Sequence, residues 1–281
     1  MSITGPTVAF QGEPGAYSEA ASLAYFGAHT RTQPSYAFED VFAAVESGSC
    51  EYGLIPIENS LAGSIHRNYD LLLEHDLHIT GEYFLRVRHC LIGLPGANLA
   101  SIRKVTSHPQ ALAQCDHYLR ALPGVTTEAA HDTAGSVRLV KERGDPTMAA
   151  IASRRAAEVY GLPVIAEGIE DNTANFTRFL AIAVQPGEPG PDAKTSLVFS
   201  LKNVPGSMFR ALGVFALRDI DLTKLESRPL AGKPWEYFFY IDFAGSPNQP
   251  NCARAIDHLS EMALFMRVLG AYPRHHWQSN P

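Results

Sequence analysis

A short stretch rich in proline and glycine near residue 190 divides this chain into two parts. Residues 185–192 contain Pro186, Gly187, Pro189, Gly190 and Pro191, a composition that resists regular structure and is typical of a linker. The chain has 281 residues, which exceeds the usual length of a single domain. We therefore predict a larger domain over residues 1–185, a linker over 186–194 and a smaller domain over 195–281.

The larger part repeats one pattern, in which a short apolar run is followed by a turn and an amphipathic stretch. The run Val8–Phe10 ends in a turn with two glycines, and residues 16–26 then read as a helix. Recurrence of this unit predicts an α/β sheet with helices on its faces. Further predicted helices cover residues 38–46, 65–73, 111–122 and 154–160, and further predicted strands cover 52–57, 89–94, 104–107, 149–152 and 179–184.

The last of these strands is separated from the others by a long stretch of chain. If it returns to the first sheet, residues 83–169 form an inserted second lobe, and a ligand can bind in the cleft between the lobes. The smaller part has a different order of strands and helices. Its apolar runs predict strands over 195–201, 221–228, 235–243 and 265–272 and helices over 207–217 and 253–262, which is the ferredoxin-like βαββαβ order.

Composition excludes several classes of protein. The net charge is −6 and no block of Lys and Arg forms a basic stripe, so nucleic acid is not an expected partner. No apolar segment approaches the ~20 residues of a membrane span, and no signal sequence is visible at residues 1–12. The cysteines are too far apart for a zinc motif, and we expect buried thiols in a reducing, cytoplasmic compartment. They are Cys50, Cys90, Cys115 and Cys252.

The strongest candidate for a reactive site is Thr177-Arg178-Phe179, which we expect where a loop that contains Asn175 enters a strand. A guanidinium fixes carboxylates through two parallel donors, and a neighbouring hydroxyl can exchange one hydrogen bond with the group that reacts. This pair suits an anionic substrate that loses oxygen.

Polar side chains also follow two of the predicted strands. Glu58, Asn59 and Ser60 come after strand 52–57, and such strand ends are where α/β proteins bind ligands. Asn59 and Ser60 can donate to a carboxylate, and Glu58 can hold Arg178 in place. The alternative is that Asn59 or Ser60 only caps the helix that follows.

The second strand end carries Ser107, His108 and Gln110, ahead of a proline that suits the first position of a helix. Here a helix cap formed by Ser107 or His108 is the main alternative to a role in the site. A third turn into a helix contains Asp132, expected to cap the helix, and Thr133. His89 precedes an apolar strand and is given little weight.

Other reaction classes lack their motifs. The early glycine turn has neither dinucleotide spacing nor a Walker lysine, and the chain shows no nucleophile elbow and no paired histidines with metal spacing. We expect chemistry without a metal, a nucleotide or a covalent serine.

Several separated segments resemble prephenate dehydratase, in the order found in that family. They are Phe10–Gly12 with Gly15–Ser18, residues 53–63 around Pro56–Ser60, Ser107–Ala111, Ala150–Ser153 with Tyr160–Leu162, and Asp171, Asn175 and Thr177–Phe179. The resemblance covers about residues 7–184. It implies a two-lobed catalytic domain similar to periplasmic binding proteins, and the conversion of prephenate to phenylpyruvate, water and carbon dioxide in L-phenylalanine biosynthesis, without a cofactor.

The smaller part is similar to the regulatory ACT domain that follows the dehydratase in this family, through Glu226, Ser227, Arg228 and Pro229 and through residues 235–238. The resemblance implies feedback regulation by L-phenylalanine, bound at interfaces between subunits near Glu226–Pro229 and near Gly206, Ser207 and Met208. It also implies a homodimer or homotetramer. The family usually has Gly-Ala-Leu where this chain has Gly206-Ser207-Met208.

The resemblance also implies roles for the candidate residues. Thr177 would act at the departing hydroxyl and Arg178 at a substrate carboxylate, with Glu58 in support. Asn59, Ser60 and Gln110 would complete the anion pocket. Supporting positions are Phe179, Ser107, Asn175 and Thr133. Two alternatives stay open, an arogenate dehydratase and a non-enzymatic protein that binds an amino acid or organic anion.

Overall fold

The computed structural model describes residues 5–230 and 232–276, which form two compact units. The first unit contains the described residues up to Ile65 together with Phe84–Phe179, and the second contains His66–Tyr83 and the described residues from Leu180 onward. The predicted domain boundaries, which end the larger domain at residue 185 and begin the smaller domain at residue 195, stay a prediction. Residues 277–281 of the predicted smaller domain, and residues 1–4 of the N-terminal stretch, lie outside the described residues.

The first lobe contains a mixed sheet, most of whose strands lie in the first unit. Its elements are β1 (Thr7–Gln11), α1 (Tyr17–Phe26), β2 (Arg31–Ser35), α2 (Phe38–Glu46), β3 (Tyr52–Asn59), β4 (Gly63–Ser64), β5 (His78–Arg86) and β11 (Phe176–Ala183). The strand order is β2-β1-β3-β11-β5, with β4 on β3. Strands β1, β2 and β3 are parallel, so the carboxyl ends of β1 and β3 lie at the same edge, where Gln11 and Asn59 stand.

The second lobe has its own sheet, of order β10-β6-β9-β7-β8. Its elements are β6 (Cys90–Gly93), β7 (Lys104–Ser107), α4 (Pro109–Ala113), α5 (Asp116–Arg120), β8 (Thr126–Ala129), α6 (Thr133–Arg143), β9 (Met148–Ala152), α7 (Arg154–Tyr160) and β10 (Val164–Glu167). Because β11 returns to the first sheet, these elements form an insertion. The predicted two-lobed topology is confirmed.

Three features of the first unit differ from the prediction. The helix expected over 111–122 is two short helices, because the Gln114 carbonyl accepts from the N–H of Asp171 at 2.8 Å instead of continuing the helical ladder. Strand β11 begins at Phe176, three residues before the predicted start. Strands β2, β4, β5, β8 and β10 were not predicted. Polar residues occupy much of β2 and β8, whereas β10 is apolar in three of its four residues and was missed because it is short.

The second unit contains the predicted ferredoxin-like domain. Its elements are α3 (His66–Glu74), β12 (Ala193–Leu201), α8 (Ser207–Ala216), β13 (Leu222–Pro229), β14 (Tyr237–Ala244), α9 (Pro250–Met262) and β15 (Ala263–Pro273). The antiparallel order β13-β14-β12-β15 and the βαββαβ sequence of β12 to β15 confirm that fold.

Segment 66–83 is held in the second unit by ion pairs. Lys194 Nζ lies 2.7 Å from Glu82 Oε1, and these side chains are 7% and 0% exposed. Arg228 Nη2 lies 2.8 Å from Asp70 Oδ2. These contacts join residues that are more than a hundred positions apart in the sequence, so the second unit is not confined to the predicted smaller domain.

All four cysteines are buried free thiols, as predicted. Across residues 5–230 and 232–276, no helix is both long and apolar enough to cross a lipid bilayer. No cluster of three or more metal-ligating His, Cys, Asp or Glu side chains occurs in the same ranges.

Candidate active site

A cavity of about 350 Å³ in the first unit collects residues from both lobes. Strand ends and helix starts supply its polar lining, as expected for an α/β fold. Its polar members are Gln11, Tyr17, Ser18, Asn59, His89, His108, Gln110, Gln114, Thr133 and Thr177, and its apolar members are Phe38, Pro56, Ile65, Val87, Ala111 and Phe179.

Asn59 is the best-anchored polar group in this cavity. Its Oδ1 accepts from the N–H groups of Leu61 and Ala62 at 3.1 and 3.0 Å. The amide orientation is thereby fixed, and Nδ2 donates to Asn175 Oδ1 at 2.8 Å and to Thr177 Oγ1 at 3.0 Å. Asn59 therefore fixes its own turn and holds Thr177. It does not cap the next helix, which begins at His66, and its contact with a ligand stays a prediction.

Thr177 presents a hydroxyl whose proton meets no acceptor among the described residues. Its oxygen accepts from Asn59 Nδ2, and a hydroxyl that accepts a hydrogen bond becomes a better donor of its own. Thr177 and Phe179 both line the cavity, because alternate residues of β11 lie on the same side of the strand. Phe179 is 1% exposed, so its ring is packed within the protein.

The side chain of Arg178 lies outside the lining of this cavity. It falls between the two lining residues on β11, so its side chain leaves the strand on the other side. There it is 4% exposed, with Nη1 3.5 Å from Glu58 Oε1 and its guanidinium carbon 5.9 Å from the centre of the Phe84 ring. Arg178 and Glu58 contact each other, but the structure does not bring the guanidinium into the cavity beside Thr177.

Ser60 and Asn175 hold the loop before β11. The Ser60 hydroxyl donates to the Ala174 carbonyl at 2.8 Å and accepts from the N–H of Phe176 at 3.0 Å. Asn175 is fully buried and accepts from Asn59. Neither residue lines the cavity. Their contacts position Thr177, and a direct contact of Ser60 with a ligand stays a prediction.

In the second lobe, Gln110 and Thr133 line the cavity and Ser107 does not. Ser107 is fully buried and its hydroxyl donates to the Ile151 carbonyl at 2.6 Å. His108 Nδ1 accepts from the N–H of Gln110 at 3.2 Å, so His108 caps α4, which was the main alternative. Asp132 caps α6 through Gly135 at 2.6 Å, as predicted.

Three lining residues form a buried chain of hydrogen bonds that sequence reasoning missed. His89 Nδ1 lies 2.7 Å from the Tyr17 hydroxyl, and His89 Nε2 lies 2.9 Å from Gln114 Oε1. Burial lowers the pKa of His89 and raises the pKa of Tyr17 well above its ordinary value. Both side chains are therefore neutral at pH 7. Together with Gln114 they supply oriented dipoles without a net charge.

No lining residue of the cavity, all of them in the described part of the chain, is Lys or Arg. An anion bound here meets amide side chains, hydroxyls and backbone N–H groups at helix starts, since α1, α4 and α6 all begin at this cavity. The only sequence signal for Tyr17 and Ser18 is their place directly after a glycine turn.

The residues expected to bind an effector separate into two groups. Gly206, Ser207 and Met208 line a cavity of about 340 Å³ in the second unit, together with residues 201–204, 209, 235–237 and 239. Gly206 has φ 82° at the start of α8, a conformation that glycine adopts without strain. The β13 residues Glu226–Pro229 do not line this cavity.

Two of these β13 residues pair with segment 66–83 instead. Arg228 contacts Asp70, and Glu226 Oε1 lies 3.4 Å from His66 Nε2. Their predicted contact with an effector therefore has no support from this cavity, whereas the aromatic side chains of Trp235, Tyr237 and Phe239, given no role in advance, lie in it.

Comparison with known proteins agrees with this site. The family model described as prephenate dehydratase matches residues 8–186. Arogenate dehydratase/prephenate dehydratase 2, chloroplastic, of Arabidopsis thaliana is 49% identical over 278 residues, covering 95% of this chain and 72% of that protein. Arogenate dehydratase 2 of Petunia hybrida is 47% identical over 283 residues, covering 95% of this chain and 71% of its own.

Two solved structures are similar over almost the whole chain. Prephenate dehydratase from Arthrobacter aurescens in complex with L-Phe has a TM-score of 0.87 at 30% identity, covering 95% of this chain and 90% of that one. GqqA, described as a novel type of quorum quenching acylase, has a TM-score of 0.90 at 39% identity, covering 96% and 98%.

One expectation from the sequence is wrong. A cytoplasmic location was expected, but the Arabidopsis relatives are named chloroplastic. The matched family model and the relatives named as dehydratases agree on the family. The chain belongs to the prephenate dehydratase family.

Proposed function

We propose that this dehydratase converts prephenate to phenylpyruvate, water and carbon dioxide, with Thr177 acting at the departing hydroxyl. The observation that carries the proposal is the 3.0 Å hydrogen bond from Asn59 Nδ2 to Thr177 Oγ1, in which Thr177 is the acceptor and keeps its own proton for another partner. Arogenate, the amino analogue of prephenate, is the alternative substrate. Two Arabidopsis relatives carry both names, and the Petunia relative is named an arogenate dehydratase alone.

The reaction needs orientation more than it needs a strong acid. The bond from the ring to its carboxylate breaks, the electron pair enters the ring, and the ring hydroxyl leaves with one added proton as water. Aromatisation drives these steps. A threonine hydroxyl is too weak an acid to protonate the leaving oxygen alone, so it stabilises the charge that develops there in a site shielded from water.

The apolar lining has a role in the same mechanism. The ring carboxylate loses its charge as it becomes carbon dioxide, and surroundings that hydrate it poorly favour that loss. Phe179, Val87 and Ile65 line the cavity and provide such surroundings. The Tyr17, His89 and Gln114 side chains offer neutral hydrogen-bonding groups at another part of the lining.

A substrate comparison tests the proposal. Purified protein is mixed with prephenate or with arogenate, and phenylpyruvate and phenylalanine are followed by mass spectrometry. Formation of phenylpyruvate from prephenate supports the proposal. If only arogenate reacts, the alternative is correct, and if neither substrate reacts while both bind, the protein is a binder.

The name of GqqA raises acyl hydrolysis as a different activity. An acylase needs a nucleophile activated by a neighbouring base. The Thr177 hydroxyl instead accepts from the Asn59 amide, a donor that cannot remove its proton, so Thr177 is not activated as the nucleophile of an acyl transfer.

Regulation by L-phenylalanine forms the second half of the proposal. The A. aurescens structure contains L-Phe, and the 340 Å³ cavity of the second unit offers aromatic walls and the start of α8. We place the effector in this cavity. Assembly into a homodimer or homotetramer stays a prediction from the resemblance.

Trp235 reports on this cavity because it lines it and is 78% exposed. We expect L-phenylalanine to change tryptophan fluorescence in the wild type with the same midpoint as its inhibition of turnover. The fluorescence change is expected to vanish in Trp235→Phe. Inhibition that persists without any response of Trp235 would place the effector elsewhere. Truncation after Asp192 is a poor test, because it removes Lys194, the partner of Glu82.

A further inference from the structure

The start of helix α1 is an unfilled hydrogen-bonding site in the wall of the catalytic cavity. Tyr17 and Ser18, its first two residues, both line the cavity. Within the described residues, no group accepts from their backbone N–H groups. The N-cap residue is Ala16, which has no side chain that can accept a hydrogen bond, although Ser, Thr, Asp and Asn are favoured there.

Two of the other helices that begin at the cavity are capped by side chains. In α4 the N–H of Gln110 donates to His108 Nδ1, and in α6 the N–H of Gly135 donates to Asp132 Oδ1. Helix α2 also begins here, at Phe38, and its N-cap residue Ala37 provides no side-chain cap. Helix α1 has ten residues, long enough for its dipole to favour an anion at its first turn, and its start is open where those of α4 and α6 are not.

A second observation at this place points to a ligand. Ser18 is 8% exposed and lines the cavity, and among the described residues its hydroxyl has no hydrogen-bond partner. The hydroxyl is therefore available to a group that enters the cavity. The backbone carbonyl of Ser18 also accepts from Ser22 Oγ at 2.8 Å.

The carboxylate of Glu19, in the first turn of α1, does not accept from the open N–H groups of Tyr17 and Ser18. The Glu19 carboxylate accepts from the N–H of Gly15 at 2.6 Å and from Thr32 Oγ1 at 3.1 Å. Its charge is balanced by Arg155, whose Nη2 lies 3.1 Å from Glu19 Oε1. Glu19 thus anchors the turn before α1 and leaves the N–H groups of Tyr17 and Ser18 open.

The turn itself is fixed against the second lobe. Gly15 has φ 95°, and a Cβ atom there would lie 2.6 Å from Ala156 Cα, so only glycine allows this approach. The Ser153 hydroxyl donates to the Gly15 carbonyl at 2.6 Å. The start of α1 is therefore held in place before any ligand arrives, as a binding site requires.

We propose that the start of α1, completed by the Ser18 hydroxyl, binds the carboxylate of the substrate's three-carbon side chain. This inference rests on the proposed function and names the part of the substrate that the site holds. Of the two carboxylates of prephenate, one becomes neutral carbon dioxide. Donors that hold that carboxylate tightly would oppose the reaction, whereas the side-chain carboxylate keeps its charge from substrate to product.

Two substitutions test the proposal in the full-length protein. Ala16→Asp places a carboxylate at the N-cap, where the backbone (φ −62°, ψ 159°) already suits a capping residue. It competes with the ligand for the open N–H groups. Ser18→Ala removes the hydroxyl alone. The matched controls are Ala24→Asp, on an exposed position of the same helix, and Ser22→Ala, whose hydroxyl faces the Ser18 carbonyl.

Phenylpyruvate is the diagnostic ligand because it keeps only the side-chain carboxylate. We expect Ala16→Asp to raise the Kd of phenylpyruvate, measured by calorimetry, and the KM for prephenate by the same factor, about tenfold or more. The effect of Ser18→Ala is expected in the same direction, with kcat changed less than about threefold because the contact is equal in ground and transition states. Both controls stay within about twofold of wild type.

The outcomes separate this inference from the proposed function. If wild-type protein does not turn over prephenate, the proposed function fails, but the affinity for phenylpyruvate still reports on the site. Unchanged phenylpyruvate affinity in both variants overturns the inference, and so does a rise confined to the KM for prephenate. We expect Ala16→Asp to melt no lower than wild type, since a capping carboxylate stabilises a helix start; if it does not fold, Ser18→Ala decides.

Discussion

Asn59 Nδ2 donates to Thr177 Oγ1 at 3.0 Å, and this hydrogen bond joins two residues 118 positions apart at the wall of the cavity. Because Asn59 Oδ1 is occupied by two backbone N–H groups, the amide can only donate toward Thr177. The direction of this bond decides where the threonine proton points, and with it what the site can do.

Reversing the direction of that bond is expected to abolish most of the activity. In Asn59→Asp, the carboxylate still accepts from Leu61 and Ala62 but draws the Thr177 proton toward itself. We expect kcat with prephenate to fall about 10²- to 10³-fold with the far-UV spectrum close to wild type. The melting temperature is expected to fall as well, because the new carboxylate faces the Asn175 Oδ1 acceptor. A kcat within a factor of about three of wild type would show that the orientation of the hydroxyl is unimportant.

Arg178 is expected to matter more for stability than for substrate binding. Its guanidinium is 3.5 Å from Glu58 and outside the cavity lining, and the Glu58 side chain is 32% exposed. Arg178→Met should lower the free energy of unfolding by about 1–2 kcal/mol, discounted for the exposure of Glu58. The KM for prephenate should stay within about threefold, whereas a much larger rise would restore the predicted contact between Arg178 and a substrate carboxylate.

His89 is expected to make stability depend on pH. Burial lowers its pKa in the folded protein, so the unfolded chain binds a proton more readily and stability falls as pH drops below the ordinary histidine pKa of about 6.5. Urea unfolding at pH 7 and pH 5.5 measures this loss. His89→Gln should lose less stability than wild type over that interval, and equal losses would contradict the assignment.

The buried ion pair between Lys194 and Glu82 is expected to contribute more to the free energy of unfolding than an exposed pair does. Lys194→Met leaves Glu82, whose side chain is 0% exposed, without its cation and should cost about 3–5 kcal/mol of unfolding free energy. Adding Glu82→Leu should recover most of the loss. Arg228→Met, which breaks the more exposed pair with Asp70, is the control and should cost about 1 kcal/mol or less. A loss in Lys194→Met no larger than in this control would argue against the buried pair.

Local patterns were sufficient for the two-lobed topology and for the βαββαβ order, because apolar runs and glycine turns mark most of the helices and buried strands, although β2, β5, β8 and β10 were not found. They also placed Asn59, Gln110, Thr133 and Thr177 near one another, since strand ends and helix starts of an α/β fold meet at the same edge. Strand boundaries were less well determined. Strand β11 begins at Phe176, so Thr177 and Arg178 both lie within the strand. Their side chains therefore lie on opposite sides of it.

The missed part of the site depends on contacts between distant segments. Tyr17 and His89 are 72 positions apart, and neither position carries a sign that the other is its partner. Gln114 lies where a predicted helix is interrupted, because its carbonyl accepts a hydrogen bond from the N–H of Asp171. The importance of Ser18 becomes visible only when the fold shows that no protein group satisfies its hydroxyl.

The central claim is that the Thr177 hydroxyl acts on the departing oxygen, and turnover of Thr177→Ala and Thr177→Ser with prephenate tests it most directly. We expect Thr177→Ala to lose about 10²-fold or more in kcat while the Kd of phenylpyruvate stays within about twofold, and Thr177→Ser to retain most of the activity. A kcat for Thr177→Ala close to that of the wild type would contradict the account.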